Sequence, residues 1–224
     1  MRATLLLLCL ASALSADTLS DIRSRGELVW GADPEGGGPY VYPRDDDPNS
    51  QTGFEVELAD VLSKRLGVTA TLSTADWATL PEILRAAKVD VVLNGYEWSP
   101  LRASSFEASI PYFIYGLQLL ARKDDTTLAT WEDLGKDVNG RKRRVGVLTE
   151  SAAEKYLMEN LGDRIELIHY NGNTDAMREV ETTKLDATLQ DTPIAAFYGP
   201  RFPGLRPIGA PVGRGYYVIL ARQG

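Results

Sequence analysis

Short blocks of apolar residues recur along the chain, and the period within them switches between that of a strand and that of a helix. Residues 27–32 and 68–73 are runs of strand length. Between them Phe54, Leu58, Val61, Leu62 and Leu66 fall at helical spacing, closed by Gly67. A second helical stretch leads into the strand-like run 89–93. The later part of the chain repeats this order. Residues 144–148 read as a strand, and Ser151-Ala152-Ala153-Glu154 as a capping box in which serine and glutamate exchange bonds with free backbone amides. A strand at residues 165–169 and a helix from about Thr174 complete the set. Each half is therefore β-α-β-α-β. The pattern predicts an α/β protein of two parallel-sheet lobes, with ligands binding outside the carboxyl ends of the strands.

The repeat extends to single residues. Lys88-Val89-Asp90 matches Lys184-Leu185-Asp186, each between a helical stretch and a strand. In this register Gly95 corresponds to Asp191. A polar turn running from Asn94 to Arg102 and an isolated carboxylate thus leave equivalent strand ends. A planar guanidinium matches carboxylate geometry bidentately, which makes Arg102 a candidate anion ligand. An arginine at such a turn is otherwise a solvated surface group.

Composition narrows the picture. With 44% hydrophobic and 25% charged residues over 224 positions, the chain has material for one large or two modest cores. A net charge of −7 argues against a nucleic-acid backbone as partner. The basic run Arg141-Lys142-Arg143-Arg144 reads as a solvated loop before a buried strand. Arg2, the apolar run from Leu5 to Leu10 and the small residues to Ala16 read as a secretory signal peptide over residues 1–16, too short to span a membrane. Leu8 before Cys9 disfavours a lipoprotein anchor. Cleavage would leave no cysteine, hence no disulfide, thiolate chemistry or cysteine metal site.

Catalytic constellations are thin. The single histidine, His169, lies on an apolar strand as a core or edge residue, so a serine triad and a histidine metal site both lose their usual member. Gly36-Gly37-Gly38 lacks the strand-to-helix context of a phosphate-binding loop and reads as a flexible turn; Asp45-Asp46-Asp47 reads as a solvated loop. No cofactor and no metal are expected.

Seven segments standing in order over residues 19–222 resemble the family 3 extracellular solute-binding proteins, the polar amino-acid receptors of ABC importers. They are the mature start from Leu19 to Leu28, Gly53-Phe54-Glu55-Val56-Glu57-Leu58-Ala59, Trp77-Ala78-Thr79-Leu80, the arginine turn, Ala108-Ser109-Ile110-Pro111-Tyr112, Val145-Gly146-Val147-Leu148, and Leu185 to Asp191. The resemblance implies a two-lobed periplasmic binding protein type II fold. The first lobe would comprise residues 19–117 plus 214–224, and the second residues 118–213. Hinge strands are expected at residues 116–122 and 215–222, whose similar Leu-Leu-Ala-Arg and Ile-Leu-Ala-Arg endings suit neighbouring strands. Family members continue with helices that complete the first lobe and are missing here, so a longer parent chain is expected, such as a fusion to a permease or kinase.

Site roles follow from the same resemblance. Arg102 matches the clamp for a ligand α-carboxylate and Asp191 the acceptor of its ammonium. Ser151 and Ala152 match the helix start whose backbone amides add carboxylate donors. Gly95 and Glu97 match positions that contact ammonium and carboxylate through backbone and hydroxyl groups, but the family usually has Ser or Thr where Glu97 stands. A carboxylate there repels a ligand carboxylate unless it turns toward the ammonium or a cationic side chain. Tyr40 and Trp77 match wall positions, and Trp77 reads equally as a core residue. Asp33 matches an acidic position near ligand side chains, and equally a turn cap. The implied function is a monomeric, periplasmic or otherwise extracytoplasmic receptor that captures an amino acid or related zwitterion and presents it to an ABC transporter permease. The alternatives are an enzyme on this scaffold, like the cyclohexadienyl or arogenate dehydratases, with Glu97 or Glu150 as general acid, or the ligand-sensing domain of a signalling receptor.

Overall fold

A computed structural model describes residues 18–34 and 37–223; the leader read over residues 1–16 lies outside them, as does Gly36. In chain order the elements are α1 (Thr18–Arg25), β1 (Glu27–Ala32), β2 (Tyr42–Pro43), β3 (Gln51–Thr52), α2 (Phe54–Leu66), β4 (Thr69–Thr74), α3 (Leu80–Arg85), β5 (Val91–Val92), α4 (Pro100–Ser105), β6 (Glu107–Ala108) and β7 (Phe113–Arg122). They continue with α5 (Trp131–Leu134), β8 (Arg143–Leu148), α6 (Ala152–Asn160), β9 (Ile165–Tyr170), α7 (Asn173–Glu181), β10 (Ala187–Asp191), α8 (Thr192–Tyr198), β11 (Leu205–Tyr217) and β12 (Leu220–Ala221).

Two five-stranded sheets, ordered β4-β1-β5-β12-β6 and β11-β7-β10-β8-β9, form the two lobes. In each sheet the first strand of the β-α-β-α-β unit lies between its two parallel successors: β1 between β4 and β5, and β8 between β9 and β10. The internal repeat is therefore a repeat of topology. Asp90 Oδ2 accepts from Val29 N at 2.8 Å and from Arg25 Nη2 at 2.5 Å. Asp186 Oδ2 accepts from Arg144 N at 2.7 Å and from Arg141 Nη1 at 2.6 Å. Each aspartate fastens the start of its third strand to the first. Three residues before each, Ala87 and Thr183 turn through positive φ, 55° and 65°, where the preceding helix ends.

Two of the arginines in the basic run make ion pairs that tie the fold, one at the surface and one buried. Arg141 pairs with Asp186, while Arg143, 2% exposed, donates to the carbonyl oxygens of Thr127 and Asp133 and faces Asp125. The solvated-loop expectation holds for the exposed Arg141 and Lys142 and is corrected at Arg143, because an arginine entering a strand is desolvated and needs carboxylate and carbonyl partners. The apolar line read for α2 is likewise its flank. The buried line is Glu55, Ala59 and Ser63, and Val61 is exposed. Small residues at spacing four let the helix lie close to the sheet.

Strands β7 and β11 run antiparallel to one another from Phe113↔Tyr217 to Arg122↔Leu205, with register shifts on either side of Val212. They link the lobes. The similar four-residue endings are not neighbours, contrary to expectation. Leu119, Leu120 and Ala121 pair with Ile208, Pro207 and Arg206, whereas Leu220 and Ala221 form β12 between β5 and β6 in the first sheet. Two non-helical residues after β11 allow this change of sheet. Apolar burial centres on Leu117, Leu119, Val145, Val147, Met177 and Leu189 in the second lobe, and on Trp77, Leu80, Leu84, Val92 and Tyr96 in the first. Among the described residues no helix is long and apolar enough to cross a membrane.

Candidate functional site

The carboxyl ends of β1 and β5 face those of β8 and β10 across a cleft. It holds a cavity of about 40 Å³ whose lining includes Asp33, Tyr40, Trp77, Gly95, Glu97, Ser151 and Asp191. Seven of the nine residues singled out in the sequence therefore line one space. The other two, Arg102 and Ala152, bond to Glu97 at its edge.

Gly95 adopts φ 60°, and a Cβ there would lie 3.3 Å from the Tyr40 ring, so the turn needs its glycine. Its amide donates to Glu55 Oε1 at 2.8 Å, which Tyr112 Oη also reaches at 2.5 Å. Burial raises the Glu55 carboxyl to about 7 against those two hydrogen bonds, which favour the charged form. Sequence reading gave Glu55 no role. A glutamate in the first turn of a helix is ordinary, and only its place on the Ala59–Ser63 line marks it.

The next residues fix Glu97. Tyr96 and Trp98 exchange backbone bonds with Val218 and Tyr216 beside the end of β11, holding Glu97 to that strand. Ser99 then caps α4 by accepting from Arg102 N at 3.2 Å, with Pro100 at the first helical position. Helical side chains lean toward the N-terminus, which brings Arg102 back over Glu97. Arg102 Nη1 donates to Glu97 Oε2 at 2.6 Å and to the Glu97 carbonyl at 2.8 Å, and Nη2 donates to the Glu150 carbonyl at 3.1 Å. The guanidinium lies over Trp77 and Tyr96 at 5.2 and 5.0 Å.

The second lobe supplies the other half of this cluster. Ser151 Oγ caps α6 by accepting from Glu154 N. The reciprocal bond of the expected capping box is displaced by one residue, because Glu154 Oε2 accepts from Glu150 N. Positive φ at Glu150, 62°, turns its amide to that carboxylate while Ser151 N bonds Leu148 O. Glu154 Oε1 also meets His169 Nε2 at 3.1 Å, leaving the histidine an edge-strand residue outside the cleft. Ala152 N, at the start of α6, donates to Glu97 Oε1 at 2.9 Å. Both oxygens of Glu97, which is 3% exposed, are thereby occupied, and this leaves it poorly placed to act as a general acid.

Asp191 stands at the N-cap position of α8 without capping it. Its carboxylate accepts from Tyr217 Oη instead, and Tyr40 Oη lies 2.7 Å from Tyr217 Oη. Desolvation holds the Asp191 carboxyl well above the usual carboxylate range, and the nearby Glu97 charge adds to this. Trp77 is both wall and core: 7% exposed, it stacks on Tyr96 at 4.5 Å, donates through Nε1 to Asn94 O and lines the cavity. Asp33 accepts from Trp77 N through Oδ2 and donates its own amide to Asn94 Oδ1, a local tie on the cleft wall.

Gly37 and Gly38 are not a flexible turn. A Cβ on Gly37 would lie 2.4 Å from Asp33 O, and one on Gly38 2.2 Å from the Phe197 ring of the other lobe. Gly38 N also donates to Tyr198 Oη at 3.1 Å. Close approach requires glycine at both positions, across the cleft at Gly38 and to backbone of the same lobe at Gly37. The described residues contain no cluster of metal-ligating side chains.

A family model for bacterial extracellular solute-binding proteins, family 3, matches residues 28–196. The L-cystine-binding protein TcyJ of Escherichia coli (strain K12) is 32% identical over 174 residues, 77% of this chain and 62% of that protein. The chain thus spans about three fifths of that relative's length. The arginine-binding extracellular protein ArtP of Bacillus subtilis (strain 168) is 28% identical over 207 residues, 88% of this chain and 76% of its own. Among solved structures, the ancestral amino acid-binding protein AncCDT-1, a precursor of cyclohexadienyl dehydratase, matches with TM-score 0.83 at 27% identity, covering 92% of this chain and 86% of that one. The arginine-bound form of truncated ArgBP from T. maritima matches with TM-score 0.81 at 26% identity, covering 91% and 92%.

Proposed function

Because the chain belongs to the family 3 bacterial extracellular solute-binding proteins, we propose that it is a receptor that captures a small ammonium-bearing solute, an amino acid or close relative, between its lobes. It then presents the closed form to an ABC transporter on the outer side of the membrane. The single observation that carries this reading is the facing pair in the cleft: an anion clamp of Arg102 and the α6 amide at one end, and Asp191 at the other. Relatives that bind cystine and arginine support the solute class.

Binding by closure follows from the placement of these groups. Arg102 and Glu97 belong to the first lobe, and Asp191, Glu150 and Ala152 to the second. A solute held between Asp191 and the first-lobe wall of Tyr40 and Trp77 is enclosed only when the lobes meet, so its binding free energy favours the closed form. An ammonium reaching Asp191 also draws that carboxyl toward its charged form. The test is isothermal titration against a panel of amino acids and their amines. Arg102→Ala is expected to abolish binding while circular dichroism still reports the fold, with a lowered unfolding midpoint because the buried Glu97 carboxylate loses its guanidinium and Glu150 its contact. Unchanged affinity in that variant removes the site assignment.

A further inference from the structure

Two donors converge at the mouth of the cleft: the Arg102 guanidinium, 2.6 Å from Glu97 Oε2, and the Ala152 amide, 2.9 Å from Glu97 Oε1. A charged planar donor beside a helix N-terminal amide is a site built for one carboxylate. The carboxylate it holds belongs to the protein. We propose that Glu97 permanently occupies the carboxylate subsite and that the receptor selects amines lacking a free carboxylate: decarboxylated amino acids, or derivatives with that group amidated.

The inference rests on the receptor reading above and narrows its ligand. Three observations favour it over a movable Glu97. The side chain is 4% exposed, and its backbone is held by the bonds that Tyr96 and Trp98 make to Val218 and Tyr216, so it has little room to swing out. Expelling it would leave a buried carboxylate without its guanidinium and its amide, among the costliest changes a protein interior can undergo. Among the described residues the cavity lining also carries the acidic side chains of Asp33, Glu97 and Asp191 and no cationic one, Arg102 being bonded at its edge. With Glu97 in place, a second carboxylate meets repulsion and finds both donors taken. An ammonium meets Asp191, and an uncharged remainder meets Tyr40, Trp77, Leu148 and Ile194. The cavity of about 40 Å³ beside these groups has room for a compact head of a few heavy atoms.

The experiment is a paired calorimetric panel on the whole chain: arginine with agmatine, histidine with histamine, tyrosine with tyramine, and each amino acid with its carboxamide. At least one amine or carboxamide is expected to bind wild type about a hundredfold more tightly than its parent amino acid. Glu97→Ser, which frees both donors, is expected to reverse that preference. Glu97→Gln keeps the shape without the charge and is expected to narrow it. Wild type that prefers parent amino acids, or a preference unchanged in both variants, overturns the inference and leaves the receptor reading standing. If neither wild type nor either variant binds any member of the panel, the receptor reading falls, and the inference with it.

Discussion

Glu55 shows how one polar residue can tie the core to the cleft. It is fully buried in α2, yet its Oε1 is what the Gly95 amide and Tyr112 hydroxyl bond to. Its carboxyl, raised by burial from 4.5 to about 7, binds a proton more readily in the folded state than in the unfolded one. The resulting stability is present in full below about pH 4.5 and is lost as pH rises toward 7. The total is about 3 kcal/mol, from the size of that shift. Glu55→Gln retains an acceptor for Gly95 and Tyr112 and cannot titrate. Urea unfolding of the variant between pH 4.5 and 7 should therefore give a flatter dependence than wild type. Equal slopes would place the pH dependence on other groups. Glu97 marks the limit of sequence reading at this scale. Its presence in the turn was plain, but its orientation depends on the Ala152 amide 55 residues away.

At the scale of elements, the paired aspartates carry the repeat. Asp90 and Asp186, 6% and 5% exposed, each accept from a backbone amide of the adjacent strand and from an arginine. Asp90→Ala and Asp186→Ala should each lower stability by about 2 kcal/mol, the usual cost of leaving such donors unmet. The urea midpoint should fall in both, and a variant as stable as wild type would show that the tie is dispensable in that lobe. These elements were legible in the sequence because Lys-apolar-Asp occurs twice at the same distance from a strand. The two parallel β-α-β-α-β units followed from that and from the period of the apolar residues. The pairing of the last strand was not legible. Similar endings at residues 119–122 and 219–222 encode similar burial, not adjacency, and β12 joins the first sheet because the chain turns after Tyr217. The line on which α2 buries was obscured for a related reason: contact with the sheet is made by small and polar side chains, which an apolar count passes over.

For the whole molecule, the contacts that bridge the lobes are made by backbone as much as by side chains. Gly38 packs against Phe197, whose ring is itself held by Tyr42, Tyr198 and Arg201. A branched side chain there has nowhere to go. Gly38→Val should wedge the lobes apart, weakening ligand affinity by about tenfold or more and raising the radius of gyration in small-angle scattering. Wild-type affinity and dimensions in that variant would mean that Phe197 yields. The repeat has a wider consequence at this scale. The aspartate that fastens each sheet precedes by five positions a residue that lines the cleft, Gly95 in one lobe and Asp191 in the other. Assembly and recognition are therefore written in separate letters of the same duplicated phrase. A library varied only at positions 97 and 191, with Gly95 kept for its left-handed turn, could explore new chemistries while leaving both fastenings in place.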